Sequence, residues 1–190
     1  MHLKQSLKDR RTLAVILARG FLHLKESLWL EDNWGKQLCF MTLVDGKPDI
    51  KRPFLTTRVK GKAVQSPRAV DDDSANMLMH ECPPLLALGI LLVELGITET
   101  IESRREPTDT DVAVNADFFT ASRVHELCVD EWGDDYHAAV AACLEPQKFF
   151  GQSLDFDDER VCGLVHKHIV MPLEAEVHKS WAKLDTSELW

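Results

Sequence analysis

The sequence has few of the features that mark secreted, membrane or nucleic-acid-binding proteins. Its five cysteines are odd in number, and their spacing lacks the pairs of a disulfide framework or a zinc site. The formal net charge of −9 disfavours phosphate backbones and anionic lipids as partners. No apolar run approaches the roughly 20 residues of a membrane-spanning helix, and no signal-peptide pattern opens the chain. These absences predict a cytoplasmic protein with a protein partner, no nucleic-acid partner and no membrane insertion.

What is present is enough for one folded core. Apolar residues make up 45% of the 190 positions, and a chain of this length predicts a single domain over residues 1–190. One internal stretch differs in composition from the rest. Residues 60–76 contain Gly61, Pro67 and the aspartates Asp71, Asp72 and Asp73, a combination that predicts a mobile loop.

Two apolar patterns in the first half predict helices. Between Leu13 and Leu24 the apolar residues recur every three to four positions, which is typical of a helix buried on one face. From Leu85 to Leu95 apolar residues occupy every side, and Glu94 is the only charge. Such a helix must be covered all round. The sequence therefore predicts a central buried helix at about Pro84–Ile97.

A small β-hairpin is predicted between these two helices. Leu38–Val44 and Ile50–Val59 are rich in β-branched and other apolar residues, and the pair Asp45-Gly46 between them is typical of a turn. Proline cannot donate a ladder hydrogen bond, and the second strand is therefore expected at an edge.

The second half predicts three more helices, which makes the fold class mainly α. The first covers Val112–Trp132, with Phe118, Val124 and Leu127 pointing inward. The second begins at Asp134 and ends at Pro146. The third begins near Asp157, and Pro172 is expected to kink or break it. The apolar residues expected to face the core from the last two helices are Tyr136, Ala139, Val140, Cys143, Leu144, Val161, Val165, Ile169, Leu173, Val177 and Trp181.

The side chains suited to chemistry do not form a catalytic or metal-binding pattern. His166 and His168 point in different directions on a helix, so the prediction is one exposed and one core-edge histidine. His80 and Cys82 have no second ligand pair at zinc spacing, and a structural role is expected for both. Cys128, one turn after His125, is expected to be a buried, inert thiol. No cofactor and no metal is predicted.

Trp29 and Trp34 form the candidate interaction site, and two alternatives stand for them. Both indoles can pack an irregular loop onto the first helix, with their N–H groups bonded locally. Alternatively, one ring stays exposed as an aromatic anchor for a protein partner. Packing is the favoured alternative, because such a loop needs large side chains to hold it in place.

The order of elements resembles the C-terminal lobe of a protein kinase. Gly20–Leu24 is similar to the end of the kinase helix that precedes the catalytic loop. Pro83–Leu95 resembles the central kinase helix, and Ala139–Pro146 resembles the cysteine-leucine, acidic, proline pattern near the end of that lobe. The resemblance implies a kinase-C-lobe-like helical domain with a small β-hairpin.

The chain also resembles an uncharacterised fungal domain family that follows HeLo-type or prion-inhibition-and-propagation-like domains. The residues that carry this resemblance are the Trp29/Trp34 pair, Leu85–Leu95 and the closing Val170–Val177 with Trp181. It implies that related longer proteins have an N-terminal domain. It also implies a role in fungal self-recognition or cell-death signalling.

The departures from the kinase pattern predict that the domain is not an enzyme. Phosphoryl transfer needs a lysine, a glycine-rich loop and metal-binding aspartate and asparagine residues. Leu30-Glu31-Asp32 stands where a kinase has His-Arg-Asp, and Gln37 stands at the asparagine position. Asp32 is thus the one relic of a catalytic loop, and no catalytic residue is predicted. The expected function is a non-catalytic interaction or regulatory module, and the alternative is a degenerate kinase-like domain that still binds nucleotide or transfers phosphate weakly.

Overall fold

The computed structural model describes residues 5–24, 34–56, 79–110, 115–151 and 158–181. Trp29, Asp32 and the loop predicted at 60–76 lie outside these residues. The described part is mostly helical with one two-stranded antiparallel sheet, which confirms the fold class at that level. Its elements are α1 (Leu7–Leu24), β1 (Leu38–Thr42), β2 (Pro48–Leu55), α2 (Pro83–Ile97), α3 (Ala116–Leu127), α4 (Asp134–Leu144), α5 (Pro146–Phe150), α6 (Glu159–Val165) and α7 (Met171–Ser180).

Helix α1 begins at Leu7, earlier than the predicted Leu13. The cause is a cap at Ser6, whose hydroxyl oxygen accepts a hydrogen bond from the backbone N–H of Asp9 at 3.1 Å. The Ser6 hydroxyl in turn donates to the Asp9 carboxylate at 2.8 Å. Such a cap satisfies a backbone donor that has no partner within the helix. The additional first turn brings Arg10 and Arg11 into α1.

Helix α2 is the central helix that the sequence predicts. Pro83 and Pro84 lie in its first turn, where their missing N–H groups cost nothing. No residue from Leu85 to Leu95 is exposed, because α1, α3 and α4 all pack against this helix. At Gly89 an added Cβ would lie 2.9 Å from the Cβ of Cys143. The helices α2 and α4 therefore approach each other closely at Gly89, where a side chain is missing.

The hairpin forms as predicted, although β1 ends at Thr42 rather than Val44, and β2 begins at Pro48 rather than Ile50. The predicted end of the second strand, Val59, lies outside the described residues. Leu38 pairs with Leu55 and Cys39 with Phe54. The turn uses Gly46 at φ 80, a left-handed conformation that glycine adopts without strain. Residues opposite each other in a pair share a face: Leu38 and Leu55 are both half-buried, whereas Cys39 and Phe54 are both exposed.

The helices after α2 differ from prediction mainly at their ends. Helix α3 covers Ala116–Leu127 and so ends before the predicted Trp132, whereas the predicted start at Val112 lies outside the described residues. Its last residue, Leu127, is 71% exposed. The prediction that Leu127 points inward is wrong, because Val124 and Cys128 take the buried positions at this end of the helix and Leu127 lies on the exposed side. Helix α4 begins and ends as expected, and all five of its predicted core residues are buried. Pro146 ends α4 and at the same time begins the short α5.

The predicted kink near Pro172 takes the form of a π-helical turn. Residues His166–Val170 connect α6 to α7 with this wider winding, and the backbone N–H of Met171 donates to the carbonyl of His166. An apolar residue at every fourth position drifts by about 40° per repeat around an α-helix of 3.6 residues per turn. The π turn absorbs an extra residue, and Val165, Ile169 and Leu173 all stay buried. None of the helices in the described ranges is long and apolar enough to cross a membrane.

Candidate functional site

The outer side of the hairpin carries exposed apolar side chains. Met41 is 63% exposed and Phe54 is 45% exposed, and Cys39 lies opposite Phe54 in the ladder. Leu43 and Val44, at the turn, are also exposed. We call these five residues the hairpin face. Clustered apolar exposure of this kind is typical of interaction surfaces, whereas single exposed apolar residues are ordinary.

Trp34 lies under the hairpin and not on its surface. The residue is 2% exposed, and its indole N–H donates to the carbonyl oxygen of Pro84 at 2.9 Å. Its ring lies beside Phe21 of α1, with the two centroids 6.5 Å apart. This position agrees with the packing alternative, in which the indole donor is bonded locally. Trp34 links α1, the start of the hairpin and the first turn of α2.

A cavity of about 370 Å³ opens between α1, the hairpin and the C-terminal half of α2. Apolar side chains line most of it, and Glu94 contributes a carboxylate from α2. We call this cavity the Glu94 pocket. Its apolar lining residues are Leu13, Leu17, Leu38, Phe40, Leu91 and Leu95. Volume and lining are typical of sites that bind small molecules or single side chains.

Glu94 has one bonded and one open side in this pocket. Its Oε1 atom accepts a hydrogen bond from the backbone N–H of Ile101 at 2.9 Å. Burial raises the pKa of Glu94, and the bond from Ile101 opposes that rise. Among the described residues no cation lies within ion-pair distance of this carboxylate. The pocket thus contains a half-buried carboxylate whose hydrogen-bond partner among the described residues is a backbone N–H.

The two cations that line the pocket are engaged elsewhere. Arg10 donates through Nη1 to the carbonyl oxygens of Leu95 and Gly96, at 2.7 and 3.0 Å. A guanidinium at these carbonyls complements the negative end of the α2 dipole. Lys36 lies 3.3 Å from the Glu102 carboxylate. Neither cation is therefore placed to neutralise Glu94.

Gln5 also lines the pocket. Its side-chain oxygen and nitrogen are both enclosed, and neither makes a hydrogen bond. The Nε atom of Arg10 is likewise enclosed without a partner. Enclosed polar atoms without partners carry a desolvation cost of about 1–3 kcal/mol. Such atoms are uncommon in proteins, and here they lie next to the same cavity.

His80 has the structural role that the sequence predicts. It is buried, and its Nε2 donates to the carbonyl oxygen of Cys143 at 2.8 Å. Its Nδ1 accepts the backbone N–H of Cys82 at 3.1 Å, which fixes the neutral tautomer. Burial lowers the pKa of His80, against the opposing effect of these two bonds. The ring fastens the segment before α2 to the end of α4.

His125 pairs with another histidine rather than with Cys128. Its ring stacks on that of His137, with centroids 3.7 Å apart. Each Nε2 donates to the other residue's backbone carbonyl, at 3.1 and 3.2 Å. Burial lowers the pKa of His125, and the hydrogen bond to His137 partly opposes this effect. Burial raises the pKa of the Cys128 thiol. The thiol is buried and protonated at neutral pH, as predicted for an inert cysteine.

The histidines of the last long helix also lie as predicted. His166 is exposed, whereas His168 is half-buried against the rings of Phe149 and Phe150. Across the ranges that the structure describes, no three His, Cys, Asp or Glu side chains are grouped so that they could hold a metal ion.

Sequence reasoning singled out Trp34, which the structure places in the core, and missed the pocket. Glu94 was the available signal, because a single charge within an apolar, fully covered helix needs a partner or a special environment. No sequence pattern around Gln5 or Arg10 indicates that these residues line a pocket. Their place in the wall depends on the extra first turn of α1, and the Ser6–Asp9 cap was the sequence feature that predicts that turn.

Fold and site together define a mostly helical domain with one small sheet, an exposed apolar hairpin and an acidic pocket beside it. A family model described as "Domain of unknown function (DUF7580)" matches residues 1–180. The chain belongs to this family. No curated protein and no solved structure matches it significantly.

Proposed function

We propose that this domain is a non-catalytic protein-interaction or regulatory module and that the hairpin face is its docking surface. The observation that carries the proposal is the exposure of Met41 and Phe54 on the outer side of a hairpin whose inner side packs on the core. Apolar patches of this kind mark protein contacts. Aromatic and methionine side chains are also the residues enriched in such contacts.

The setting proposed for this module comes from the resemblance of the sequence. A kinase-C-lobe-like arrangement, with α2 as the central helix, agrees with the observed order of helix, hairpin, buried helix and further helices. Fungal self-recognition or cell-death signalling, in the cytoplasm, is the process suggested by the resemblance to the uncharacterised fungal domain family. Related longer proteins would then place an N-terminal domain before the module.

The test is capture of a partner from a host extract with matched surface variants. Met41→Thr combined with Phe54→Thr removes the apolar surface and keeps residues that favour strands. Leu127→Gln combined with Met171→Gln is the control, because both residues are exposed apolar residues on other elements. We expect the hairpin variant to lose a partner that the control retains, with both melting as the native protein does. Equal capture by both variants would refute the hairpin as the docking surface.

The alternative function is a kinase-like domain that has kept nucleotide binding. It depends on Asp32, which lies outside the described residues. That alternative predicts a higher melting temperature with ATP and magnesium than with magnesium alone, because a ligand that binds only the folded state stabilises it. It also predicts that Asp32→Asn removes the shift. An unchanged melting temperature at millimolar ATP would exclude it.

A further inference from the structure

We propose that the outer edge of β1 pairs with the same edge of a second copy of this chain, so that two hairpins form one antiparallel sheet. The inference concerns the backbone at the edge of the hairpin, and it goes beyond the proposed function, which concerns the side chains of the hairpin face. In the described part of the chain β1 pairs with β2 alone. The unpaired backbone groups at the other edge of such a strand are a template for a further strand.

The register shows which backbone groups of β1 point away from β2. In an antiparallel pair, residues that exchange backbone hydrogen bonds alternate with residues whose N–H and C=O groups point outward. Gln37 and Thr56 form a bonded pair, because the N–H of Thr56 donates to the carbonyl oxygen of Gln37 at 3.1 Å. Alternation then makes Leu38 and Phe40 outward-pointing residues. Pro53, opposite Phe40, agrees with this, because proline has no N–H to donate.

The same alternation continues beyond the register shift near the turn. The N–H of Leu43 donates to the carbonyl oxygen of Lys47 at 2.7 Å, so the preceding residue, Thr42, points outward. Thr42 lies opposite Pro48, which again has no N–H to donate. Within the described ranges no hydrogen bond reaches the outward groups of β1. The strand therefore presents free N–H donors and C=O acceptors at every second residue.

The corresponding edge of β2 is unsuited to pairing. Pro48 and Pro53 occupy two of its outward positions, and each lacks the N–H that an added strand would need. Residues Leu38–Thr42 of β1 include no proline. The edge of this sheet that can accept another strand is therefore the β1 edge.

A second copy fits the β1 edge because the strand is complementary to itself. A two-fold axis at Phe40 places Leu38 opposite Thr42 of the other copy, and every outward group in both strands then gains a partner. Such a self-complementary contact is the basis of a symmetric dimer. No charged residue lies between Leu38 and Val44. Two chains of net charge −9 therefore meet at a stretch where neither carries a charge, which limits their repulsion.

The pairing also covers exposed apolar side chains. Met41, which is 63% exposed, comes to lie opposite Cys39 of the second copy, and side chains in such positions have Cβ atoms about 4.5–5.5 Å apart. The two hairpin faces then form one continuous apolar surface on a four-stranded sheet. Because a strand of 5 residues makes a contact smaller than the roughly 1,200–2,000 Å² of stable interfaces, we expect a weak dimer that forms at micromolar concentrations or above.

Sedimentation equilibrium of the full chain over a concentration series tests the proposal. We expect the average mass to rise from 21.6 kDa toward twice that value. Thr42→Pro removes an outward N–H without removing a bond to β2, and it should weaken association about tenfold or more, because each dimer loses two bonds. Thr42→Val keeps the N–H in a residue that favours strands, and this matched control should associate as the native chain does. A native chain that stays monomeric at millimolar concentration, or equal association of the two variants, would overturn the proposal.

Backbone amide hydrogen exchange of the native chain decides the matter if Thr42→Pro does not fold. The outward N–H of Phe40 gains a partner only in the dimer, and its exchange should slow about tenfold or more as the concentration rises. The amide of Asp45 in the turn is the control and should not respond. Exchange at Phe40 that is independent of concentration would contradict edge pairing even if a dimer forms through another surface.

The outcomes also separate this inference from the proposed function. A monomeric chain whose hairpin variant still loses a captured partner would refute only the edge pairing. A dimer that captures no partner through the hairpin face would refute only the docking surface.

Discussion

The guanidinium carbon of Arg11 lies 3.4 Å from the centroid of the Tyr136 ring. Both side chains are buried, and the Tyr136 hydroxyl donates to the carbonyl oxygen of Leu92 at 2.7 Å. Glu176 of α7 lies 3.6 Å from Nε of Arg11. This contact is an ion pair without a hydrogen bond, since Nε and Nη1 of Arg11 have no hydrogen-bond partner. The Arg11 guanidinium thus links α1 to α4 by stacking on the Tyr136 ring, and α1 to α7 by its charge interaction with Glu176.

Removing the charge of Glu176 should destabilise the protein more than removing the whole pair. Glu176→Gln leaves Arg11 buried without a counter-ion, and we expect a loss of about 2–4 kcal/mol in the free energy of unfolding. In the double variant Arg11→Met with Glu176→Leu no charge is buried, and the loss should be smaller than in Glu176→Gln. Urea unfolding measures both values.

The control for this pair is an exposed one. Glu145→Gln removes the partner of Lys148 at the surface, and the expected change is below about 1 kcal/mol. If Glu176→Gln costs no more than this control, the Arg11 charge does not depend on Glu176.

Two glycines in helix interiors should respond in opposite directions to alanine. At Gly89 the new methyl group would lie 2.9 Å from Cys143 Cβ and 3.0 Å from Leu144 Cδ2, and we expect a net loss of about 1–3 kcal/mol from overpacking. At Gly20 nothing lies within 4 Å, and the better helix propensity of alanine should add about 0.5–1 kcal/mol. Thermal and urea unfolding of both variants check this. A stabilised Gly89→Ala protein would contradict the close approach of α2 and α4.

The unfolding free energy should fall as the pH decreases from 7 toward 5. His80 and His125 are neutral in the folded protein, and burial lowers the pKa of both. The unfolded chain binds protons near pH 6.5 while these folded rings do not, so their contribution is complete above that pH and is lost as the pH falls through the lower folded values. His80→Gln should flatten this profile. His166→Gln, at an exposed position, is the control, and an equal effect of both variants would contradict the assignment to His80.

Trp34 should behave as a packing residue in a graded series. Trp34→Phe keeps an aromatic ring and leaves the Pro84 carbonyl without its donor, for an expected loss of about 1–2 kcal/mol. Trp34→Ala also removes the contact with Phe21 and should cost about 3–5 kcal/mol. Urea unfolding gives both values. An alanine variant as stable as the native protein, but unable to capture a partner, would instead support the anchoring alternative.

The sequence predicted the helices and strands that a periodic pattern of apolar residues marks. It missed the features that depend on individual contacts between distant residues. Leu85–Leu95 is apolar on every side, a pattern that fits only a helix covered all round. The acidic residues at Asp134 mark the start of a helix. Both helices form as expected. The end of α3 at Leu127 depends on a turn that periodicity does not encode. The pocket around Glu94 forms where α1, the hairpin and α2 meet in the fold. The charge of Glu94 within an apolar helix was the sequence feature that could have indicated it.

The bond from Trp34 to Pro84 has a consequence for how the chain can vary. It joins the start of the hairpin to the first turn of α2, and residues 57–78 lie between β2 and α2 in the sequence. Insertions or deletions within that connection would thus leave the distance between the hairpin and α2 unchanged. Relatives with longer or shorter links at this point should keep the same cavity beside Glu94.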